Sequence, residues 1–552
     1  MKKNIVILIS FLFSFSGFSQ TISWAKSATG TGLDEGNAIV VDNNGYTYIT
    51  GSFESATLTF GTQTINNTSP GTSDIFVAKF DLNGNCLWAK NVGGFSDEYS
   101  TAITVEKNTG VVYVAGHFNS TSVTFNGSPI NNNGYSDLIL LKYNTSGVEQ
   151  WGKGFGGVDE DQSTGLSIDQ NNNVYLTGHT WGGINFGSTT ILNNGAVDLF
   201  IAKFNSSGTN LWAKGIGGSG SDRATSIKTI ANGESYITGF FDSPTITFGS
   251  NTPLTNGSFG DDYLFVAKYD ASGTAIWSKS ASSVNGGVWG NSISTDNNND
   301  VYITGCFDGT SMTIANVIGN SNPSYDNVFV AKYSSNGVEQ WVVNPTSGPE
   351  GNEAYCITTD NLNNVYISGW YTSPSINFGG IILTSTAAGD NIFLAKYNSS
   401  GVIQNAYSFR GAAASGGYGN GICADNNGNI YLTGYFEGVN MTFNTVTLTN
   451  TGSYDVYWTK FGLGTTAVTE LEKQNTFHIY PNPFNVTATI ITKDYLTNAT
   501  LKILSINGKL VKEFTNLNGK SILIDRFGLE NGIYVIQLTN NNVVETRKLI
   551  LN

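Results

Sequence analysis

An all-β fold of seven repeated units, with a second and smaller β-domain behind them, is what this sequence predicts. Three observations carry that prediction. A short pattern of Tyr, an aliphatic residue, a small residue and Gly recurs seven times, ending at Gly51, Gly116, Gly178, Gly239, Gly305, Gly369 and Gly434, at steps of 61 to 66 residues. A fixed period of that size marks supersecondary units that stack to bury a shared core. The composition holds 66 glycines and only 12% charged residues, with little of the Ala, Leu, Glu and Lys that favour helices. After Phe461 the period stops and a different pattern begins.

Each unit reads as four strands joined by tight turns, an antiparallel meander. In the second copy Ala102 to Val105 is a short apolar stretch, and the turn residues Glu106 to Gly110 follow it. Val111 to Phe118 is the second strand. A polar insert of about twenty residues, with a small strand around Val123 to Phe125, leads to the third, Asp137 to Tyr143. A turn at Gly147 opens the fourth strand with Trp151-Gly-Lys153. The same order recurs, with Trp88, Trp151, Trp212, Trp277 and Trp341 each four residues after a Gly; the sixth copy has Asn405 instead. A lone meander exposes apolar faces, whereas seven packed radially bury them and leave short edges. That is a β-propeller. The regular Trp and Tyr are then blade-packing residues rather than a cofactor cage.

The seventh copy lacks a fourth strand, and one Trp-x-Lys strand, Ile22-Ser-Trp-Ala-Lys26, stands alone before the first copy. Residues 21–27 are therefore expected to be the outer strand of the seventh blade, paired with Val456 to Phe461, closing the ring of a propeller over residues 20–463.

Trp88-Ala-Lys-Asn-Val-Gly-Gly94, Asp97-Glu98 and Asp169-Gln-Asn-Asn-Asn-Val-Tyr-Leu-Thr-Gly178 resemble the SBBP β-propeller repeat of bacterial surface proteins. The resemblance runs over about residues 21 to 462 and weakens in the sixth copy and at the start of the seventh. It implies the fold and supplies no activity.

Residues 1–19 read as a signal peptide: Lys2 and Lys3, an apolar run from Ile5 to Phe15, then Gly17 and Ser19 before a cut at Gln20. The run is too short to span a bilayer, and no later stretch reaches that length. A net charge of −14 opposes nucleic acid and anionic membrane surfaces as partners. A monomer is expected. Cys86, Cys306, Cys356 and Cys423 show no metal or redox spacing and read as reduced and mostly buried.

Beyond a linker at 464–475, residues 476–552 carry His478-Ile-Tyr-Pro-Asn-Pro-Phe484, Ile506-Asn-Gly-Lys509, Gly532-Ile-Tyr534 and Arg547-Lys-Leu-Ile-Leu551. Alternation through Leu501 and Ile503 and a hairpin turn at Asn507-Gly508 suggest a small Ig-like β-sandwich. Tyr480, Pro481, Asn482, Pro483, Gly508, Gly532, Tyr534 and Lys548 closely resemble the motif of the type IX secretion C-terminal sorting domain. The resemblance implies recognition by that secretion machinery, removal of the tail, and delivery to the outer-membrane cell surface or the medium.

No catalytic residue is predicted. Histidine is scarce (His117, His179, His478), and no nucleophile-base cluster or metal spacing surrounds it. The turns beginning Asp42, Asp169, Asp296 and Asp425 share part of a calcium loop but lack its later bidentate Glu. Calcium is thus the one cofactor left open, and tight turns explain Asp and Asn equally. Gly416 to Gly421 has the composition of a phosphate loop but precedes a strand rather than a helix. The acidic residues Asp34, Glu35, Asp97, Glu98, Asp159, Asp161 and Asp222 precede the first strands at one mouth of the channel, where a turn or solvation role is expected, and the insert between second and third strands is expected to open on the same face.

The candidate ligand-binding set is found by comparing the copies. Four residues before the first-strand Ile they read Glu35, Tyr99, Thr164, Arg223, Trp289, Glu353 and Tyr418. Common packing does not dictate a position that changes in nearly every blade. Aromatics stack on sugar rings while charged groups take hydroxyls. Tyr99, Arg223, Trp289 and Tyr418, with Glu35 and Glu353, are the expected ligand contacts, and the ligand is a glycan or a surface protein. A glycan-cleaving enzyme using mouth carboxylates and a structural surface-layer module are the alternatives.

Overall fold

The computed structural model describes residues 20–463 and 477–551, apart from 258–259, 315–316, 321–324, 386–388, 412–414, 506–508, 527 and 541–542. The expected signal peptide and linker lie outside the described residues. Every regular element among the described residues is a β-strand. The chain divides into two compact units, residues 1–464 and 465–552.

The first unit is a seven-bladed β-propeller. Each blade is a four-stranded antiparallel sheet, and in blades 1 to 6 the strands follow chain order from inside to outside, as in Asp34–Val41, Thr47–Phe53, Asp74–Phe80 and Cys86–Val92 of blade 1. The first strands of blades 2 to 7 are Glu98–Val105, Asp161–Ile168, Asp222–Thr229, Val288–Thr295, Asn352–Thr359 and Gly417–Ala424. Each lies beside that of the next blade, and the seventh lies beside the first, so the seven surround one axis. The second and third strands are buried on both faces, which is why Ile75-Phe-Val-Ala78 is a continuous apolar run rather than an alternating one.

Blade 7 is made from both ends of the propeller sequence. Gln20–Ser27 pairs antiparallel with Tyr454–Leu463, placing Trp24 opposite Lys460 and Ser27 opposite Tyr457. This arrangement leaves no open seam, because the strand that would be a bare edge is supplied from 430 residues away.

The repeated residues form one inter-blade layer at the end of the ring where first strands turn into second strands. Asp42 makes the turn: Oδ1 accepts from the backbone N–H of Asn44 and Tyr46 at 2.9 and 3.0 Å, and Oδ2 accepts from Tyr48 Oη at 3.0 Å. The fourth turn residue is left-handed, so it is Gly45, Asn172, Asn299, Asn363 or Gly428. Lys79 lies over the Tyr48 ring at 5.0 Å and donates to Thr145 O of the next blade, and Trp88 Nε1 donates to the same carbonyl, each at 3.2 Å. The Trp ring covers the next blade's hairpin glycine, Gly147, where an added Cβ would come within 2.7 Å of it. The contact repeats around the ring, from Trp24 on Gly84 to Trp341 on Gly401.

That geometry explains Asn405. A Trp there would need the hairpin joining the third and fourth strands of blade 7. Those two strands come from opposite ends of the propeller sequence, and no hairpin joins them.

A second set of inter-blade bonds rings the inner strands. Each first strand carries a one-residue bulge, at Asn37, Thr101, Thr164, Thr225, Asn291, Tyr355 and Asn420. Asn37 Nδ2 donates to Ser100 O at 2.8 Å, Thr164 Oγ1 to Ala224 O at 2.8 Å and Asn291 Nδ2 to Ala354 O at 3.0 Å. Asn420 Nδ2 donates to Gly36 O at 3.1 Å and joins the seventh blade to the first, whereas the blade 6 bulge residue Tyr355 accepts from Trp370 of its own blade.

The insert after each second strand leaves from the expected face but then runs outward. It forms a small hairpin, such as Thr57–Phe60 with Gln63–Asn66, packed against the outer strands. The channel mouth is therefore lined mainly by the first strands and the ends of the second and third.

The second unit is all-β around its own core, including Phe477, Phe484, Ile490, Leu501, Ile536 and Leu549. Two long strands, Thr487–Ser505 and Leu510–Asp525, join its halves: the N-terminal part of the first pairs with Phe477–Tyr480, the C-terminal part with Gly532–Asn540, and Val543–Leu551 forms the far edge.

Candidate functional site

The mouth is built from the starts of the seven first strands. Glu35, Tyr99, Arg223, Trp289, Glu353 and Tyr418 each stand second on their strand, all half-buried. They lie directly opposite Ser52, His117, Phe240, Cys306, Trp370 and Tyr435 of the second strands. The structure thus brings all six to one register of one face.

Blade 3 corrects the sequence alignment. Gln162, not Thr164, occupies this register, opposite His179. Leu166 pairs with Leu176 as Ile39 pairs with Ile49, so Ile168 was the wrong anchor by two residues. Thr164 is the bulge residue and bonds to the next blade.

Around the mouth the residues fall into three arcs of different chemistry. On blades 6 and 7 an aromatic row runs from Trp370 to Tyr418 at 5.9 Å, on to Tyr435 at 4.9 Å and to Tyr454 at 4.8 Å, the last two contacts stacked. Tyr418 Oη donates to the Asp390 carboxylate, and Trp370 Nε1 donates to Tyr355 Oη at 2.9 Å.

Between blades 5 and 6 the ligand atoms of Cys306, Asp326 and Glu353 lie within 4.8 Å of one another. Burial, then the neighbouring Asp326, pushes the Glu353 carboxyl up to about 7. These are the residues that could hold a metal. On blades 2 to 4 stand Tyr99 against His117 (5.5 Å), His179 against Trp181 (5.1 Å) and Arg223 over Trp181 (5.3 Å). Trp289 Nε1 donates to Asp262 at 2.7 Å.

Trp181, Trp370, Tyr435 and Tyr454 were missed from sequence because only first strands were compared. For Trp370 and Tyr435 the signal was available in the residue after each repeat Gly, which reads Ser52, His117, His179, Phe240, Cys306, Trp370 and Tyr435 and also changes in nearly every blade; Trp181 and Tyr454 lie outside that row.

The repeated mouth carboxylates do something else. Asp34, Glu98, Asp161 and Asp222 are fully buried and hold backbone. Glu98 accepts from the N–H of Gly94 at 2.7 Å and of Ser120 at 3.2 Å, Asp161 from Gly157 at 2.8 Å, and Asp222 from Gly218 at 2.7 Å. Burial raises Asp34 and Asp222 to about 6, and Glu98 and Asp161 to about 7. The turn carboxylates Asp42, Asp169, Asp296, Asp360 and Asp425 are likewise taken up by their own turns and tyrosines. All four cysteines are free thiols, with Cys306 and Cys356 buried.

Surface hollows of about 450 to 470 Å³ lie elsewhere, one lined by Asn133, Gly154 to Val158 and Asn185 and one by Ser408, Arg410 and Asn440. Their walls are largely Gly, Asn and backbone, and they offer less directed chemistry than the mouth.

In the second unit Asn482 ties the Tyr-Pro-Asn-Pro segment to the last strand: its Nδ2 donates to Lys548 O at 2.7 Å, and its Oδ1 accepts from Ile550 N at 2.8 Å. Tyr480 and Lys548 are exposed, Tyr534 Oη donates to Glu530 O at 3.1 Å, and Gly532 begins the strand opposite Leu551. Gly508 lies outside the described residues. Residues 478–552 match the family described as a secretion system C-terminal sorting domain. The tail is a type IX sorting domain. The sorting domain implies engagement of the type IX secretion machinery and export to the cell surface or the medium. No helix among the described residues is long and apolar enough to cross a membrane.

Residues 150–185 match the SBBP β-propeller repeat. Among curated proteins, an uncharacterised WD repeat-containing protein of Acanthamoeba polyphaga mimivirus is 22% identical over 80% of this chain and 38% of its own length. Regulatory protein FlaEY of Caulobacter vibrioides is 28% identical over 31% of this chain and 18% of its own. The chain thus spans well under half the length of these relatives. Among solved structures, a member of the duf4221 family from Bacteroides vulgatus (12% identity, TM-score 0.30) covers 80% of this chain and 97% of its own. An apocarotenoid oxygenase mutant of Synechocystis (9%, TM-score 0.33) covers 80% and 93%. Likenesses this low carry no functional argument.

Proposed function

We propose that the chain is an exported binding protein whose propeller presents its variable mouth to a glycan, with the sorting domain removed on delivery and residues 1–19 removed on entry to the export route. The observation that carries this is the stacked row Trp370, Tyr418, Tyr435 and Tyr454 beside Asp390. Aromatic faces pack on the apolar face of a sugar ring, and adjacent carboxylates and hydroxyls take its hydroxyl groups. Phe95 and Tyr135, 89% and 81% exposed, stand on loops at the same end of blades 1 and 2. A glycan array probed with the purified chain tests the reading. Neutral oligosaccharides should bind, and Trp370→Ala should abolish the signal without changing the fold.

A second reading, glycan cleavage, is favoured by one pair. Glu353 holds its proton near neutral pH beside Asp326, as a general acid must. Release of reducing ends from a bound oligosaccharide, lost in Glu353→Gln, would replace the binding reading with this one.

A further inference from the structure

The blade 2 to 4 arc contains three nitrogen atoms whose bonding is incomplete. His117 Nδ1, His179 Nδ1 and Arg223 Nε are all buried without a hydrogen-bond partner. His179 is only 6% exposed. Buried polar atoms in native proteins are nearly always paired, so three in one place call for an occupant. They are neighbours: Trp181 contacts His179 on one side and Arg223 on the other, and His117 stands at the same register one blade back. Burial drives both imidazoles to the neutral form, down to about 4 for His117 and about 3 for His179, where Arg223 and then His117 add to the push.

We propose that Arg223, His179 and His117 form a recess that receives an oxyanion of the ligand, a carboxylate or a sulfate ester on an acidic glycan. This deepens the glycan reading and rests on the mouth being a binding surface. The guanidinium supplies fixed positive charge and opposes a metal cation, while each neutral imidazole supplies an N–H donor in the tautomer that carries its proton on Nδ1. Charge sets the orientation. Asp262 stands beside Arg223 and accepts from Trp289 Nε1 at 2.7 Å, so it only partly offsets the guanidinium. The opposite arc carries Asp326 and Asp390, which repel an anion, so the acidic group points to blades 2 to 4 and the neutral rings to the aromatic row. In a chain of net charge −14, one cationic recess is selective.

The chain has only three histidines, and His478 in the sorting domain serves as an internal control. Full-length protein with ¹⁵N-labelled histidine is titrated with trigalacturonate, its methyl ester, and inorganic sulfate. The expected result is movement of the His117 and His179 signals, not His478, with trigalacturonate or sulfate, and none with the ester. The tighter of the two anions assigns carboxylate or sulfate. Arg223→Gln should weaken that binding about tenfold or more, the effect of losing one charge-assisted bond, with the melting temperature retained. Silent imidazoles with both anions, or unchanged affinity in Arg223→Gln, overturn the recess. Neutral oligosaccharide binding, followed in parallel by Trp fluorescence, separates the two failures: if it persists while the imidazoles stay silent, only the recess is lost.

Discussion

At one end of every first strand the seven blades agree, and at the other they differ. The agreeing end carries Tyr48, Tyr113, Tyr175, Tyr236, Tyr302, Tyr366 and Tyr431, all buried and each next to a Lys, and in every blade but the sixth a fellow Trp covers the next blade's glycine. The differing end carries Glu35, Tyr99, Gln162, Arg223, Trp289, Glu353 and Tyr418 at one register. Blade-to-blade packing imposes the first set seven times over, because every blade meets the same neighbour. It imposes nothing on the second. The difference locates where the ring is held together and where it is free to acquire a ligand.

The comparison is broken most severely at the seam. Deleting residues 20–27 leaves Tyr454–Leu463 as a bare edge and should remove most of the folding margin, on the order of several kcal/mol. Urea denaturation checks it; a deletion that unfolds like the full chain would contradict the closure. Next come two indoles. Trp151→Ala, at the agreeing end, uncovers Gly208 and should cost about 2–4 kcal/mol in chemical denaturation. Trp289→Ala, at the differing end, should cost about 1 kcal/mol. Equal costs would erase the distinction between the two ends.

A smaller effect is read from pH. The buried carboxyls Glu98 and Asp161 sit near 7 when folded, above their ordinary values, so the folded state holds their protons more tightly. Their contribution is fully present below about pH 4 and is lost as pH rises through 7. His117 and His179 act oppositely, but only below about 6.5, since their folded values are depressed. Between pH 6.5 and 8 stability should therefore fall as pH rises, and Asp161→Asn should make that fall shallower in thermal melts. The smallest effect belongs to Asn405→Trp, which should change stability by no more than about 0.5 kcal/mol, because no hairpin lies where the ring would pack.

The blade count, the strand order and the closing strand were legible because each rests on counting: seven Tyr-x-x-Gly elements, and one Trp-x-Lys strand left over at the start. The candidate row was legible in six blades. It failed in blade 3 because Ile168 imitates the anchor that Leu166 provides, and a residue-type match says nothing about pairing. The bulge at Asn37 and its equivalents was invisible, since one unpaired residue leaves no mark on an alternating pattern. The partnership of Trp with glycine was read within one copy, four residues apart, whereas the contact joins neighbouring blades. Period alone does not reveal which copy a residue touches.

The most direct test of the differing end as the binding surface is a glycan array read with the full-length protein and with Trp289→Ala/Tyr418→Ala. Bound oligosaccharides on the wild type, reduced at least tenfold in the double variant with its melting curve intact, are the predicted result. No bound glycan at all, or equal binding by both proteins, would contradict it.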